Sequence, residues 1–274
     1  MPYDIVIVGG GSAGCTLATR LSEEPDRSVL LLEAGPDYPD FHHLPDELKF
    51  SYHYTAAGAS SPFNWAYTGQ GTTQQTLETD LNVRDDFHGA EGPIPVRRLE
   101  RSRNDILMFP ASYDSPTLPE SLRLACTLEL ADSSGQLTLT SADPSAPPRI
   151  EYRYLETDWD RVRMREAIRL CLQFLEHASF APLVARRISP TDPDLASDDA
   201  LDDWLRQNVT TNQHTSGTCK MGPSTDTMAV VDQYCRVHGI EALRVVDLSI
   251  CPNVVRANTN ATAIMIAERA AAWI

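Results

Sequence analysis

A single histidine and two short runs rich in asparagine and glycine carry the groups that could do chemistry in this chain. His214 stands in the polar stretch from Thr211 to Ser216. An imidazole titrates near neutral pH and can remove a proton from a hydroxyl group. Asn258, Thr259 and Asn260 stand just before an apolar run with helical character, Thr262 to Ile274. A helix N-terminus presents unpaired N–H groups and the positive end of its dipole. It can stabilise an anion, or Asn258 or Asn260 can serve simply as an N-cap. Asp247 closes the strand-like run Leu243 to Val246, at the carboxyl end where α/β folds place ligands.

The other run is N-terminal. Ile5 to Val8 is four consecutive β-branched residues, the pattern of a parallel strand buried on both faces. It leads into Gly9-Gly10-Gly11-Ser12-Ala13-Gly14, a G-x-G-x-x-G match at Gly9, Gly11 and Gly14. Helix formers follow from Cys15 to Ser22, with Leu17, Ala18 and Leu21 as an apolar stripe, and a second apolar strand runs from Ser28 to Leu32. Glu33 closes that strand, 19 residues beyond Gly14, and Ala34 follows it. The glycines permit a tight turn and let the backbone approach a pyrophosphate on the helix N-terminus. The acid can accept hydrogen bonds from adenosine ribose hydroxyls. Strand, glycines, helix, strand and acid in that order predict a dinucleotide site, without choosing between NAD and FAD.

These elements sit in a chain of 274 residues, long enough for one large domain or two interleaved smaller ones. The net charge of −15 argues against a nucleic-acid partner, which needs clustered Lys and Arg. Six cysteines lack a CxxC pair or zinc-ligand spacing, so reduced, mostly buried thiols and no metal are expected. The chain opens on a strand-like run with no room for a secretory signal, and no stretch approaches the ~18 apolar residues of a membrane span. A soluble cytoplasmic protein is expected. Between the termini, Asp158 to Glu176 reads as a long helix with Val162, Ile168, Leu172 and Leu175 on its apolar side, capped by Thr157 or Asp158. A shorter helix, Asp198 to Arg206, is expected to bury Leu201, Trp204 and Leu205, and Leu122 to Leu130 is strand-like.

The C-terminal motifs resemble those of the glucose–methanol–choline (GMC) oxidoreductase family, in its choline dehydrogenase-like form. Its members carry a His followed by Gly-Thr and Met-Gly, a Val-Asp pair, a strand ending in Asp-x-Ser, and a His or Asn before the final helix. Here these are His214, Gly217-Thr218, Met221-Gly222, Val231-Asp232, Leu243 to Asp247 with Ser249, and Asn258. The 44 residues from His214 to Asn258 match the family's active-site pair. Leu31-Leu32-Glu33-Ala34-Gly35-Pro36 resembles its FAD-type opening, Phe63 to Tyr67 its Trp-x-Tyr stretch, and His88 to Pro93 its His-Gly-x-x-Gly-Pro turn. Gly135 to Ser141 with Asp143-Pro144, and Pro148 to Tyr154, resemble passages of its substrate domain. The family's glycine–serine-rich flavin loop, and two further strands after Arg98, have no counterpart.

The resemblance implies an α/β fold: an FAD-binding Rossmann-like domain built from residues 1–104 and 209–274, with an inserted antiparallel sheet and helices at 105–208 forming a substrate domain. It implies FAD as cofactor, a small-molecule alcohol as substrate, and oxygen or another carrier as electron acceptor. His214 would be the base for hydride transfer to flavin N5, and Asn258 its partner across the substrate oxygen. Gly9, Gly11, Ser12, Ala13, Gly14, Glu33, Ala34, Asp247, Leu248 and Thr259 would contact the cofactor. The alternative is a non-catalytic or truncated flavin- or nucleotide-binding remnant of such an enzyme.

Overall fold

A computed structural model of the chain describes residues 3–45, 48, 66–78, 105–111 and 123–274. The Phe63-Asn64-Trp65 part of the aromatic stretch and the turn from His88 to Pro93 lie outside the described residues. The chain divides into two compact units. The described residues of the first are 3–45, 48, 66–67 and 213–274, and those of the second are 68–78, 105–111 and 123–212.

In the first unit, β1 (Ile5–Val8) leads through the glycine run into α1 (Ser12–Leu21) and then β2 (Val29–Leu32). β1 and β2 pair in parallel, Ile5 opposite Val29 through Val8 opposite Leu32. Asp4 pins the start of this ladder, its Oδ2 accepting from the Ser28 N–H at 2.8 Å and the Ser28 hydroxyl at 2.7 Å. α1 packs on α4 (Asn260–Ala271). Small residues allow the approach: Ala13, Ala267 and Ala270 are buried with Ile7, Leu17, Leu21, Val231, Cys235 and Ile250 in one core.

Two expectations are corrected here. β1 is covered on one face only. Ile5 and Ile7 turn towards the core, whereas Val6 is 53% and Val8 83% exposed, because successive strand residues point to opposite faces and α1 and α4 contribute to the core on the Ile7 side. Leu243 to Val246 is not a strand beside β1. Its backbone is bonded instead to the preceding turn, with the Val237 N–H donating to the Leu243 carbonyl (3.0 Å) and the Val245 N–H to the Cys235 carbonyl (3.1 Å). The valines still reach the core, as Val245 and Val246 pack against it. The apolar pattern therefore reported burial rather than sheet membership.

The second unit contains a sheet in the order β4 (Gln75–Glu78), β3 (Thr68–Thr72), β8 (Arg149–Glu151), β7 (Gln136–Thr138). It also contains an antiparallel pair, β5 (Ile106–Ala111) with β6 (Arg123–Leu128). α2 (Asp158–Glu176) packs on β6 and on α3 (Asp198–Asn208). Thr157 caps α2, its hydroxyl accepting from the Asp160 N–H, and Ser197 caps α3 through the Ala200 N–H.

The buried stripe of α2 is Asp160, Met164, Ala167 and Cys171; of the four expected apolar residues, Val162 is exposed, whereas Ile168, Leu172 and Leu175 are half-buried and Ile168 packs on the core. A carboxylate can lie in that stripe because Asp160 accepts from the backbone N–H groups of Asp132 (2.7 Å) and Ser133 (2.8 Å). In α3, Leu201 and Leu205 are buried. Trp204 is only half-buried, its indole N–H donating to the Ser189 hydroxyl at 3.0 Å. Asp105, 2% exposed, holds Arg163 of α2 through two parallel bonds of 2.7 and 2.8 Å.

No helix among the described residues is long and apolar enough to cross a membrane. All six cysteines are free thiols.

Candidate active site

Two sites form in the first unit. The first is the glycine turn. Gly9 has φ +99°, a conformation favourable to glycine, and its N–H donates to the Leu32 carbonyl at 2.7 Å, tying the turn to the end of β2. A Cβ on Gly14 would stand 1.8 Å from the Gly9 carbonyl oxygen, so only glycine lets α1 start this close to the strand. Gly11 is the N-cap of α1 without a side-chain bond, and no acidic residue occupies the first turn. Ser12 and Ala13 thus open a helix with no acidic side chain of its own at its positive end.

Glu33 is committed on both oxygens. Oε2 accepts from the Gly10 N–H, and Oε1 accepts from the Gly35 N–H at 2.9 Å. It therefore ties the glycine turn to the chain leaving β2, with exposed Ala34 between the two anchor points. A carboxylate has about four lone-pair sites, so these two bonds do not by themselves exhaust it. The spacing from Gly14 had suggested the ribose role alone. The Gly10 latch was missed, although a third glycine in the turn was the available signal.

The second site centres on His214. It stands directly after Gln213, held at φ +61°, and before the buried Thr215 and Ser216. The following segment runs beside the turn at residues 247–250. The Gly217, Cys219 and Met221 N–H groups donate to the carbonyls of Leu248 (3.4 Å), Ser249 (2.9 Å) and Ile250 (2.8 Å). Asp247 shapes that turn, its Oδ1 accepting from both the N–H and the hydroxyl of Ser249, and Leu248 is buried beneath it. Asp-x-Ser is thus a side-chain-capped turn. The Met-Gly and Val-Asp motifs are mutual as well. Gly222 donates to the Val231 carbonyl at 2.9 Å, and Asp232 accepts from the N–H groups of Tyr234 and Arg236.

His214 is bonded on both ring nitrogens. The Asn258 amide Nδ2 lies 2.9 Å from Nε2, and the Thr259 hydroxyl lies 3.2 Å from Nδ1. An amide NH₂ can only donate, so Nε2 is an acceptor and the ring proton belongs on Nδ1, which donates to Thr259 Oγ1. Burial pushes the imidazole below its ordinary value, and a backbone bond at Gln213 opposes this more weakly. The ring is thus a neutral base with its lone pair directed at the Asn258 side.

Asn258 is exposed and does not cap α4. Thr259 holds the N-cap position and makes no side-chain cap bond. The sequence offered Thr259 only as a cofactor contact. Its bond to Nδ1 was missed, although a histidine fixed at one nitrogen generally needs a partner at the other. Ser216 Oγ is buried two residues from His214, with no hydrogen-bond partner among the described residues. Among those residues no cluster of side chains could hold a metal ion.

Comparison with known proteins places this geometry. The family model described as GMC oxidoreductase matches residues 131–267, half of the chain. A second, described as lycopene cyclase protein, matches residues 4–58, the segment holding β1, α1 and β2. The chain is 42% identical over 139 residues to the oxygen-dependent choline dehydrogenase of Photobacterium profundum, covering 51% of this chain and 24% of that protein. It is 36% identical over 213 residues to the mitochondrial choline dehydrogenase of Mus musculus, covering 76% of this chain and 33% of that one. The chain thus spans between a quarter and a third of the length of these curated relatives. The crystal structure of pyridoxine 4-oxidase from Mesorbium loti shares its fold, with a TM-score of 0.78 at 18% identity over 99% of both chains. GMC oxidoreductases are FAD-dependent flavoproteins. With that family model matched over residues 131–267, half of its length, this chain belongs to the GMC oxidoreductase family.

Proposed function

We propose that this chain serves an FAD-dependent oxidation of an alcohol, with His214 as the base that takes the hydroxyl proton. The observation that carries the reading is the paired bonding of His214, whose Nε2 lone pair faces the Asn258 amide while Thr259 holds Nδ1. A substrate hydroxyl that displaces the direct Asn258–Nε2 bond could donate to Nε2 and accept from Asn258 Nδ2. Imidazole then takes the proton as the C–H bond breaks. Asn258 orients the substrate oxygen, and Thr259 fixes the tautomer.

The residues of the first unit fit FAD. The cradle at Gly9, Gly11, Ser12, Ala13 and Gly14 opens on an α1 whose own first turn has no acidic residue, and Gly14 lets that helix begin directly against the Gly9 carbonyl. In this proposal those residues hold the pyrophosphate, Glu33 and Ala34 meet the adenosine ribose, and Asp247 and Leu248 border the ribityl region. The start of α4 at Thr259 faces the pyrimidine edge. Bound FAD supplies the two-electron acceptor, while the protein supplies orientation and electrostatics. The first unit is then the cofactor-binding Rossmann-like part, the second the substrate-binding part, and oxygen or another carrier the final acceptor.

His214→Ala tests the base. Turnover should fall by about 10²–10⁴-fold with flavin content unchanged. Loss of less than about tenfold, in protein that keeps its FAD, would remove His214 from that role.

One observation favours a second reading, a nucleotide-binding remnant without catalysis. Val6 and Val8 leave one face of the β1–β2 pair open, where a complete flavin-binding sheet would be covered. Purified protein that carries no FAD and cannot be reconstituted with it would support this reading over the first.

A further inference from the structure

Glu129 is a buried acid of the second unit that the flavin chemistry does not use. It follows β6 directly, and its N–H donates to the Asp105 carbonyl at 2.7 Å. The β5–β6 register, with Ile106 opposite Leu128, continues one step further to set Glu129 opposite Asp105. Residues directly opposite in an antiparallel pair point to the same face, so two acidic side chains stand side by side there. Both are enclosed, Asp105 at 2% and Glu129 at 5% exposure. Their partners differ. Asp105 holds Arg163 through two bonds, whereas Glu129 Oε1 is buried with no hydrogen-bond partner among the described residues.

The charged groups on the neighbouring elements are committed elsewhere. On α2, which packs on β6, Arg163 is shared between Asp105 and Glu166. Arg165 bonds Asp202 of α3 at 2.7 Å, Arg161 lies 3.6 Å from the same carboxylate, and Arg169 is paired with Asp198. Asp160 is served by the Asp132 and Ser133 N–H groups, and the Ser133 hydroxyl accepts from the Thr157 N–H at 3.2 Å. Glu151, the remaining buried acid among the described residues of this unit, pairs with Arg153 at 2.8 Å. Each of these carboxylates has a donor, and Glu129 Oε1 has none among the described residues.

We propose that Glu129 is a proton-binding site, a neutral carboxylic acid at pH 7 that makes the fold less stable as pH rises. An unpaired carboxylate taken out of water is costly, so such a group keeps its proton instead. An anion opposite Asp105 would add like-charge repulsion and compete for Arg163, and the protonated acid does neither. Burial accordingly pushes the Glu129 carboxyl up from its ordinary value. The unfolded chain is free of this constraint and loses the proton near the ordinary glutamate value of about 4.3. Between that value and the raised folded one, the folded chain holds one proton more than the unfolded chain. Stability therefore falls as pH rises through this window and levels off above it. This inference is independent of the proposed alcohol oxidation.

The test compares the full chain with Glu129→Gln, which keeps the shape of the side chain and cannot ionise. Urea unfolding is followed in steps from about pH 5 to about pH 7. The unfolding constant of the parent, divided by that of the variant, should rise by about tenfold per pH unit, the signature of one proton. Groups such as His214 titrate alike in both proteins and cancel from the ratio. In heavy water at neutral pH, the infrared spectrum of the folded parent should show the carbonyl stretch of a protonated carboxyl group, and the variant should lack it. Glu129→Leu takes the place of the Gln variant if that protein does not fold, and the parent's own spectrum is decisive in either case. A ratio that stays constant across this range, or a parent spectrum without the protonated-carboxyl band, would overturn the proposal.

Discussion

The Asn258 amide donates to Nε2 of His214 across 2.9 Å, although the two residues are 44 positions apart in the chain. The bond fixes the lone pair on Nε2, and burial holds the imidazole below its ordinary value. A base so placed is active above its folded value, so kcat/KM should rise with pH along an acid limb lying below about 6.5 and then level off. Asn258→Asp replaces the amide by a carboxylate, which favours imidazolium. The acid limb should then move to higher pH by about one unit or more. A profile unchanged by this substitution would mean that Asn258 does not sense the catalytic ring.

The same burial has a consequence for folding. The His214 value is depressed in the folded state, so the unfolded chain binds the proton more readily. The contribution of the neutral ring is fully present above the unfolded value of about 6.5 and is lost as pH falls from there through the folded value. Denaturant midpoints for the parent and His214→Gln should therefore converge below about pH 6 relative to their separation at pH 8. A constant separation would contradict the linkage.

Glu33 makes the glycine turn testable without touching a glycine. Glu33→Gln keeps one carbonyl oxygen but loses the charge and one of the two acceptors that serve Gly10 and Gly35. Charge-assisted bonds contribute about 1.5–3 kcal/mol, and exposure reduces that here, so FAD affinity should weaken by roughly tenfold. Flavin retention during dilution would report it. Parent-like retention would confine Glu33 to a local tie.

How far the chain reveals this arrangement depends on which interactions set each element. The glycine fingerprint and the ends of α2 were readable, because short-range rules govern turns, caps and helical periods. Thr157 and Ser197 cap α2 and α3 by the same rules. The failures occurred where distant partners decide. Leu243 to Val246 carries a strand's apolar pattern, yet its backbone bonds are taken by Cys235 and Val237. Val8 has the profile of a buried strand residue yet is exposed, because whether another element covers its face is not encoded in its own side chain. His214 and Asn258 were readable as a pair only through family resemblance. Their shared link to Thr259 follows from folding, which brings the start of α4 to the segment after Gln213.

Asp105 and Arg163 give a stability prediction in the second unit. Their two parallel bonds are nearly buried, with side chains 3% and 16% exposed. Asp105→Ala leaves the guanidinium only its half-exposed partner Glu166, and since loss of a buried partner costs about 3–5 kcal/mol, a loss near the lower end of that range is expected. The denaturant midpoint should fall accordingly. Replacing both residues by apolar ones of similar size should recover much of the loss, since the desolvation cost of the pair is then absent. A double variant no more stable than Asp105→Ala would mean that the bonds themselves, rather than the stranded charge, set the loss.

Gly14 and Gly239 separate steric from conformational demands on glycine. A Cβ at Gly14 meets the Gly9 carbonyl at 1.8 Å, whereas Gly239, at φ +76°, has nothing within 4 Å of its added Cβ. Gly239→Ala should therefore cost only the left-handed backbone penalty of about 1–2 kcal/mol, with flavin binding preserved. Gly14→Ala must push α1 away from β1. It should both destabilise the fold by at least about 2 kcal/mol and empty the nucleotide site. The informative measurement is FAD content alongside the denaturant midpoint in each variant. Equal flavin loss in both would mean that the cradle fails through general destabilisation, and the close approach at Gly14 would have no special place in holding the cofactor.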